Sequence, residues 1–234
     1  MTEPSRVPLA IMAKVPIPGQ VKTRLCPPLT PDQAAGLARC FLQDRVEQIA
    51  GIEAAEPIVA FTPAEGADEL RRLLPGPVRL VPQNGADLGA RLDRVLTDLL
   101  GDGSPGAIAV DADSPSLPTA FLRQACAHLL DGTAEVVLGP CEDGGYYLVG
   151  LRAPAPELFR AMPWSTPAVL GETLARIGRL GRRLALLPPW FDVDRGEDLA
   201  RLRAGAAAAP SAARPDAPPF SPPRTLAFLQ TARW

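Results

Sequence analysis

The chain has 234 residues, 47% hydrophobic and 21% charged, with a formal net charge of −2. That length supports one sizeable α/β domain, and the slight acidity argues against general nucleic-acid binding, which needs a basic face. A single histidine and four dispersed cysteines (Cys26, Cys40, Cys126, Cys141) argue against a His-based triad, a zinc site or a disulfide framework, and fit reduced thiols in the cytoplasm.

No signal-peptide core opens the sequence, and no apolar run reaches the roughly 18 residues of a membrane span. Val7–Met12 reads as a first buried strand. The loop after it carries Lys14, Gly19, Lys22 and Arg24 among prolines. Three cations on a stiff loop at a sheet edge suit polyphosphate oxygens, Arg24 as a fork and the lysines as point charges. A solvated basic loop is the plainer reading. Thr30-Pro31-Asp32-Gln33 is a capping box that opens a packing helix, to which no chemistry is assigned.

Ile58–Phe61 and Val78–Val81 read as strands two and three, with a short helix at Ala67–Leu74 between them. The next segment places Gln83, Gly85 and Gly89 at a strand-to-helix junction, where glycines permit close approach and an amide can read a nucleobase edge. A helix is expected over Leu88–Leu100. Ala107–Val110 is apolar throughout and runs straight into Asp111 and Asp113, as expected of a central strand buried on both faces. Two carboxylates at that strand end present hard oxygen ligands to Mg²⁺ or Mn²⁺, or simply cap the turn before the helix Thr119–Leu130. His128 sits off that helix's apolar face and reads as a boundary residue.

Glu135–Leu138 delivers Glu142, Asp143, Gly144, Gly145 and Tyr146, with Tyr146–Leu151 returning as a strand. A structural hairpin needs only the glycines. Acids beside paired tyrosines suggest the wall of an acceptor pocket, with Trp164 as its cover. Helices are expected at Leu158–Trp164 and Ala168–Leu180 and a last strand at Arg183–Leu187. Asp192 and Asp194 follow it, ahead of a short helix for which Asp194 can serve as N-cap. Ala204–Pro223 collapses to alanine, proline and serine and reads as a linker, and Thr225–Trp234 as a short apolar segment that docks on the body or on a neighbouring subunit.

Taken in order, Lys14-x-Pro16-x-Pro18-Gly19-x-Val21-Lys22-Thr23-Arg24, Gln83-x-Gly85-x-Asp87-Leu88-Gly89-x-Arg91, Asp113-Ser114-Pro115, Gly139-Pro140-x-x-Asp143-Gly144-Gly145-Tyr146-Tyr147, Pro163-Trp164-Ser165-Thr166 and Asp192-Val193-Asp194 resemble a bacterial glycosyltransferase-like family similar to the phospholactate guanylyltransferases. Some of its members are linked to arsenosugar biosynthesis. The resemblance implies a single three-layer α/β/α GT-A domain, Rossmann-like with a mostly parallel sheet, of the nucleotide-diphospho-sugar transferase superfamily. The resemblance covers about residues 7–203; the domain is expected over 1–203, and 204–234, an Ala/Pro-rich flexible tail with a short apolar C-terminal segment, lies outside the resemblance. It also implies Asp113 and Asp194 as ligands of Mg²⁺ or Mn²⁺, with Asp192 and Asp111 beside them. Lys14, Gly19, Lys22, Arg24, Gln83, Gly85 and Gly89 would then form the nucleotide site. Asp111 departs from the family pattern, which has a small residue there.

Two chemistries fit this outline. Glycosyl transfer from a nucleotide sugar to a small hydroxyl acceptor needs a general base, for which Asp143 or Glu142 is placed, with Lys22 and Arg24 stabilising the leaving phosphates. Nucleotidyl transfer joins a nucleoside triphosphate to a small phosphorylated acid with loss of pyrophosphate, and the basic loop suits it. A non-catalytic nucleotide-binding regulator is the third reading, with the altered Asp111 in its favour. The expected partners are a nucleotide or nucleotide sugar and a small-molecule acceptor, without nucleic acid or membrane, and with a homodimer as the candidate assembly.

Overall fold

A computed structural model of the chain describes residues 6–207 and 217–232, with the side chains of 205–207 left out. Seven strands form one sheet: β1 (Val7–Lys14), β2 (Ala55–Thr62), β3 (Arg79–Pro82), β4 (Ala107–Asp111), β5 (Val136–Pro140), β6 (Tyr146–Leu151) and β7 (Leu184–Leu186). Their order is β3-β2-β1-β4-β6-β5-β7, and every pairing is parallel except the two that β6 makes. Helices α1 (Pro31–Ala50), α2 (Ala67–Leu73), α3 (Leu88–Gly101), α4 (Thr119–Leu130), α5 (Val169–Arg179), α6 (Gly196–Ala207) and α7 (Pro223–Thr231) complete the described elements. None is long and apolar enough to cross a membrane.

β4 is the middle strand, as its unbroken apolar run predicts. Ile108 and Val110 enter the core beneath α1 and α4, while Ala107 and Ala109 enter the core beneath α3 and α5. β1 divides in the same way, with Leu9 and Ile11 on one face and Ala10 on the other. The sheet therefore has two covered faces and places the carboxyl ends of β1 and β4 side by side. The strand order switches between these two, and the strand on the other side of β4, β6, runs the other way.

Two expectations are corrected. Leu158–Trp164 is not a helix: only Pro156–Leu158 forms a 3-10 turn. Left-handed residues at Ala161 and Ser165 break the segment, and Pro163 and Pro167 supply no backbone donors. The C-terminal boundary also differs, because α6 runs on to Ala207 and α7 packs against α1. The stretch 208–216, at the centre of the expected linker, lies outside the described residues. The apolar segment docks on the body: Leu229 joins Leu25, Leu37, Phe41, Val193 and Leu202 in a third core. The buried Asp44 carboxylate accepts the amides of Arg224 at 3.1 Å and Thr225 at 2.8 Å, serving the exposed donors at the start of α7.

Candidate active site

The site begins with Lys22. Its backbone is left-handed, φ 49° and ψ 35°, a conformation that costs a side-chain-bearing residue about 1–2 kcal/mol. Its ammonium, only 7% exposed, lies 2.9 Å from Asp113 Oδ1 and 2.9 Å from Asp194 Oδ1. It donates to the Val193 carbonyl at 2.8 Å, with the Phe41 ring 5.9 Å away. Burial alone would lower its proton affinity, but the two aspartates outweigh burial and raise the pKa to about 12. Arg24 approaches the other oxygen of Asp194 at 3.6 Å. Burial favours a protonated Asp194, yet Lys22 and then Arg24 overcome it and hold the carboxyl below its ordinary range.

Two devices fix these carboxylates. The Val193 amide donates to the Asp113 carbonyl at 2.8 Å, tying the segment after β7 to the turn after β4. Asp198 Oδ2 accepts the amides of Asp194 and Arg195, so Asp198 takes the capping role and the Asp194 carboxylate stays turned to the cations. Asp192 sits alongside with its pKa pushed up to about 6, first by burial and then by repulsion from Asp194 and Asp143.

Asp111 lies behind Asp113. Its Oδ2 accepts from Ser114 Oγ at 2.6 Å, and its Oδ1 lies 3.8 Å from the fully buried Arg45 guanidinium with no hydrogen-bond partner. Burial pushes Asp111 up to about 7, more than Arg45 pulls it back. Arg45 is lowered by its own burial. The carboxyl leans towards its neutral form while the guanidinium keeps its charge, because a pair this loose does not repay the dehydration of the carboxylate. Arg45 also donates to the Ser114 carbonyl and to Gln48 Oε1, so it holds the Asp113 turn from behind.

Two cavities meet over these residues. One, about 420 Å³, is lined by Lys14, Lys22, Arg24, Gln83, Arg91 and Asp113 among others. The second, about 430 Å³, is lined by Asp111, Asp143, Gly145, Tyr146, Trp164 and Ser165 among others. Met12, Arg24, Leu88 and Asp194 border both. The first is rich in cations and the second in carboxylates.

Other expected site residues fall around this pair. Gln83 lines the first cavity and commits its amide nitrogen to the carbonyls of Ala13 and Ala60. Gly19 and Gly85 lie on exposed turns with positive φ and line neither cavity. Gly89 lies between the cavities: a Cβ there would stand 2.5 Å from the Phe159 carbonyl and 2.7 Å from Trp164 Nε1, so only glycine lets α3 approach the Trp164 wall. Gly144, at φ 92°, packs on the Pro167 backbone and lets Gly145 and Tyr146 turn into the second cavity. Trp164 meets Tyr146 edge-to-face at 6.2 Å. Asp143 Oδ1 accepts the Gly145 amide at 2.9 Å. Glu142 turns away from the second cavity, into a two-pronged pair with Arg201 at 2.6 and 2.8 Å that lowers its pKa. Burial, and then Asp111, drive the Cys141 thiol's pKa up, so it stays protonated.

Three contributors escaped the sequence reading. Arg45 was hidden in a helix taken for packing, although a cluster of Asp44, Arg45 and Gln48 on its apolar face was the available signal. Arg91 stood inside a quoted motif without a role. Arg176 binds the carbonyls of Glu157, Arg160 and Ala161 and so stiffens the irregular segment leading to Trp164, a long-range clamp with no local signature.

Among the described residues no three acidic, thiol or imidazole donors close around one point. Asp113 and Asp194 do converge, and the cation between them is Lys22. Mg²⁺ commonly takes one or two carboxylates and completes its shell with water and substrate phosphates. This donor pair, beside a phosphate-sized basic cavity, fits such an ion.

The family model for an uncharacterized protein conserved in bacteria, DUF2064, matches residues 45–166, just over half of the sequence. The chain belongs to this family. Its matched segment runs from Arg45 through Gln83, Asp111, Asp113 and Asp143 to Trp164 and Thr166, which takes in most of the second cavity, while Lys14, Lys22, Arg24 and Asp194 of the first lie outside it. A Desulfovibrio desulfuricans G20 crystal structure, provisionally a nucleotide-diphospho-sugar transferase, is 29% identical over 97% of this chain and 94% of its own, with TM-score 0.85. More remote in sequence are a Leptospira borgpetersenii cytidylyltransferase (13% identical, 98% of this chain and 99% of that one, TM-score 0.58) and CMP:2-keto-3-deoxy-manno-octonic acid synthetase complexed with CTP (14%, 87% and 99%, TM-score 0.56). These two share the fold. No curated protein sequence matches the chain. The expected superfamily and its mostly parallel α/β sheet are borne out.

Proposed function

We propose that the chain is a nucleotide-dependent transferase that moves a sugar from a nucleotide-sugar donor to a small hydroxyl acceptor. The observation that carries this reading is the division of charge between the two cavities. Lys14, Lys22, Arg24 and Arg91 line the first, as a diphosphate requires. The second offers Asp111 and Asp143, and among the described residues the one cation that lines it is Arg24, shared with the first, which suits a hydroxyl compound better than a phosphorylated acid. The strong likeness to a provisional nucleotide-diphospho-sugar transferase supports the same class.

In this reading Asp113 and Asp194 hold Mg²⁺ or Mn²⁺, which when bound neutralises charge on the bridging phosphate oxygens. Arg24, at the border of the cavities, stabilises the departing diphosphate. Asp143 takes the acceptor hydroxyl's proton as the new carbon–oxygen bond forms and the bond from sugar carbon to phosphate oxygen breaks. Trp164 and Tyr146 wall the acceptor and exclude water. Nucleotidyl transfer is the second reading, favoured by the density of cations around the first cavity and by the shared fold with a CTP-bound synthetase.

The test is incubation with Mg²⁺, panels of nucleotide sugars and nucleoside triphosphates, and small alcohol and phosphate acceptors. Release of a nucleoside diphosphate from a nucleotide sugar is expected. Pyrophosphate release with nucleotide sugars untouched would establish the second reading, and nucleotide binding without any turnover would leave a regulator.

A further inference from the structure

Lys22 carries a consequence for how the site is loaded. Its ammonium occupies the point on which Asp113 Oδ1 and Asp194 Oδ1 converge, at 2.9 Å from each, and it is anchored by the Val193 carbonyl at 2.8 Å. The side chain is nearly sealed from solvent, whereas the two aspartates are 45% and 37% exposed. Both aspartates also line the first cavity, and the second oxygen of Asp194 lies 3.6 Å from Arg24. An ion bridging both carboxylates would need oxygens at about 2.0–2.1 Å for Mg²⁺, which puts it in the space the ammonium fills. The left-handed backbone at Lys22 shows that the loop accepts a strained conformation to hold the ammonium there.

We propose that Lys22 is a built-in counter-ion that closes the Asp113–Asp194 pair to a free divalent cation, so that the metal enters only together with nucleotide phosphates. The inference rests on the metal–nucleotide reading above and adds the order of binding. A bare dication meets a site already neutralised in part and must displace a buried cation that then has no anionic partner. A phosphate group supplies that partner, because Lys22, Lys14 and Arg91 line the same cavity. The lysine then passes from carboxylate to phosphate as the ion takes its place, with no bond made or broken.

The test is a titration of the full chain with Mn²⁺, following the paramagnetic resonance signal of the free ion, first with Mn²⁺ alone and then with UDP, GDP or CDP. Lys22→Met removes the charge at near-constant length. Lys22→Gln keeps a donor for Val193 and serves if the methionine variant folds poorly, as judged by circular dichroism. Without nucleotide, the wild type is expected to bind Mn²⁺ weakly. Either variant should bind it about tenfold more tightly or better, the order expected when a unit charge is removed beside a dication at a partly solvated site. Adding Asp113→Asn should erase that gain, and a nucleoside diphosphate should tighten Mn²⁺ binding in the wild type more than in the variants. If both variants bind free Mn²⁺ no better than the wild type while Asp113→Asn still weakens nucleotide-dependent uptake, the gating role fails and the metal–nucleotide reading stands. If no form takes up Mn²⁺ with or without nucleotide, both fail.

Discussion

The loose pair between Arg45 and Asp111 makes a stability prediction with a definite pH signature. In Arg45→Met, Asp111 loses its one compensating charge, and the Ser114 carbonyl and Gln48 lose a donor. The electrostatic part has a ceiling, because a carboxyl can escape by taking up a proton. An unfolded aspartate titrates near ~3.9, so keeping Asp111 neutral at pH 8 costs at most about 6 kcal/mol. With its folded pKa already pushed up to about 7, the wild type bears roughly 4 kcal/mol of that. Removing Arg45 can therefore add only about 1–2 kcal/mol of charge penalty at pH 8, on top of about 1–3 kcal/mol for the unpaired polar groups. The sign follows from a carboxyl whose folded pKa is raised: stability falls as pH rises from about 4 to about 7, and flattens once both states are ionised. At pH 5.5 Asp111 is already mostly protonated in the folded wild type, so the variant should lose only the hydrogen-bonding part. Urea unfolding in EDTA at pH 5.5 and pH 8 reads the difference directly. In an Asp111→Asn background, Arg45→Met should cost the same at both pH values. An identical penalty at both pH values in the native background would refute the reasoning, as would a pH dependence that survives Asp111→Asn.

Asp113→Asn should abolish metal-dependent nucleotide binding, seen by calorimetry with Mg²⁺ and nucleoside diphosphates, with the thermal midpoint within a few degrees of wild type; unchanged affinity would remove Asp113 from the metal site. Gly89→Ala should cost about 2 kcal/mol or more, because its Cβ meets the Phe159 carbonyl backbone as well as Trp164, and tryptophan fluorescence should report the displaced wall. Asp44→Ala leaves the amides of Arg224 and Thr225 without their acceptor, a loss of about 1–3 kcal/mol, and hydrogen exchange should show faster exchange concentrated in 217–232. Asp143→Asn should lower turnover by about 10²–10⁴-fold with nucleotide affinity retained, measured as diphosphate release; equal turnover would assign the base elsewhere.

Much of the fold was legible because its signals are local. Ala107–Val110 is apolar at every position, as a doubly covered strand requires, and the capping box at Thr30 closes as written, with Gln33 and Thr30 exchanging hydrogen bonds. The segment 158–164 misled because its apolar content imitates a helix, while its shape is set by Arg176 from a different element. The docking surface of α7 was equally hidden, since Asp44 and Gly36 acquire meaning only when Thr225 and Phe228 arrive from the far end of the chain.

The candidate site divides in the same way. Position at a strand end marked Asp111 and Asp113 together, and only the family resemblance paired Asp113 with Asp194; the charge that joins the two was not legible. A sequence shows that Lys22 is basic and lies on a loop, which suggests a hand extended to phosphate. The fold turns that hand inward, towards the two carboxylates, and gives Asp111 to Arg45 instead of to the shared ligand point. Asp111 thereby gains a physical account: it answers a buried guanidinium that braces the Asp113 turn, and it lines the second cavity. Asp111 and the arginine that packs behind it belong together. Substituting either alone tests a broken pair, whereas substituting both tests whether the turn needs a charge there at all.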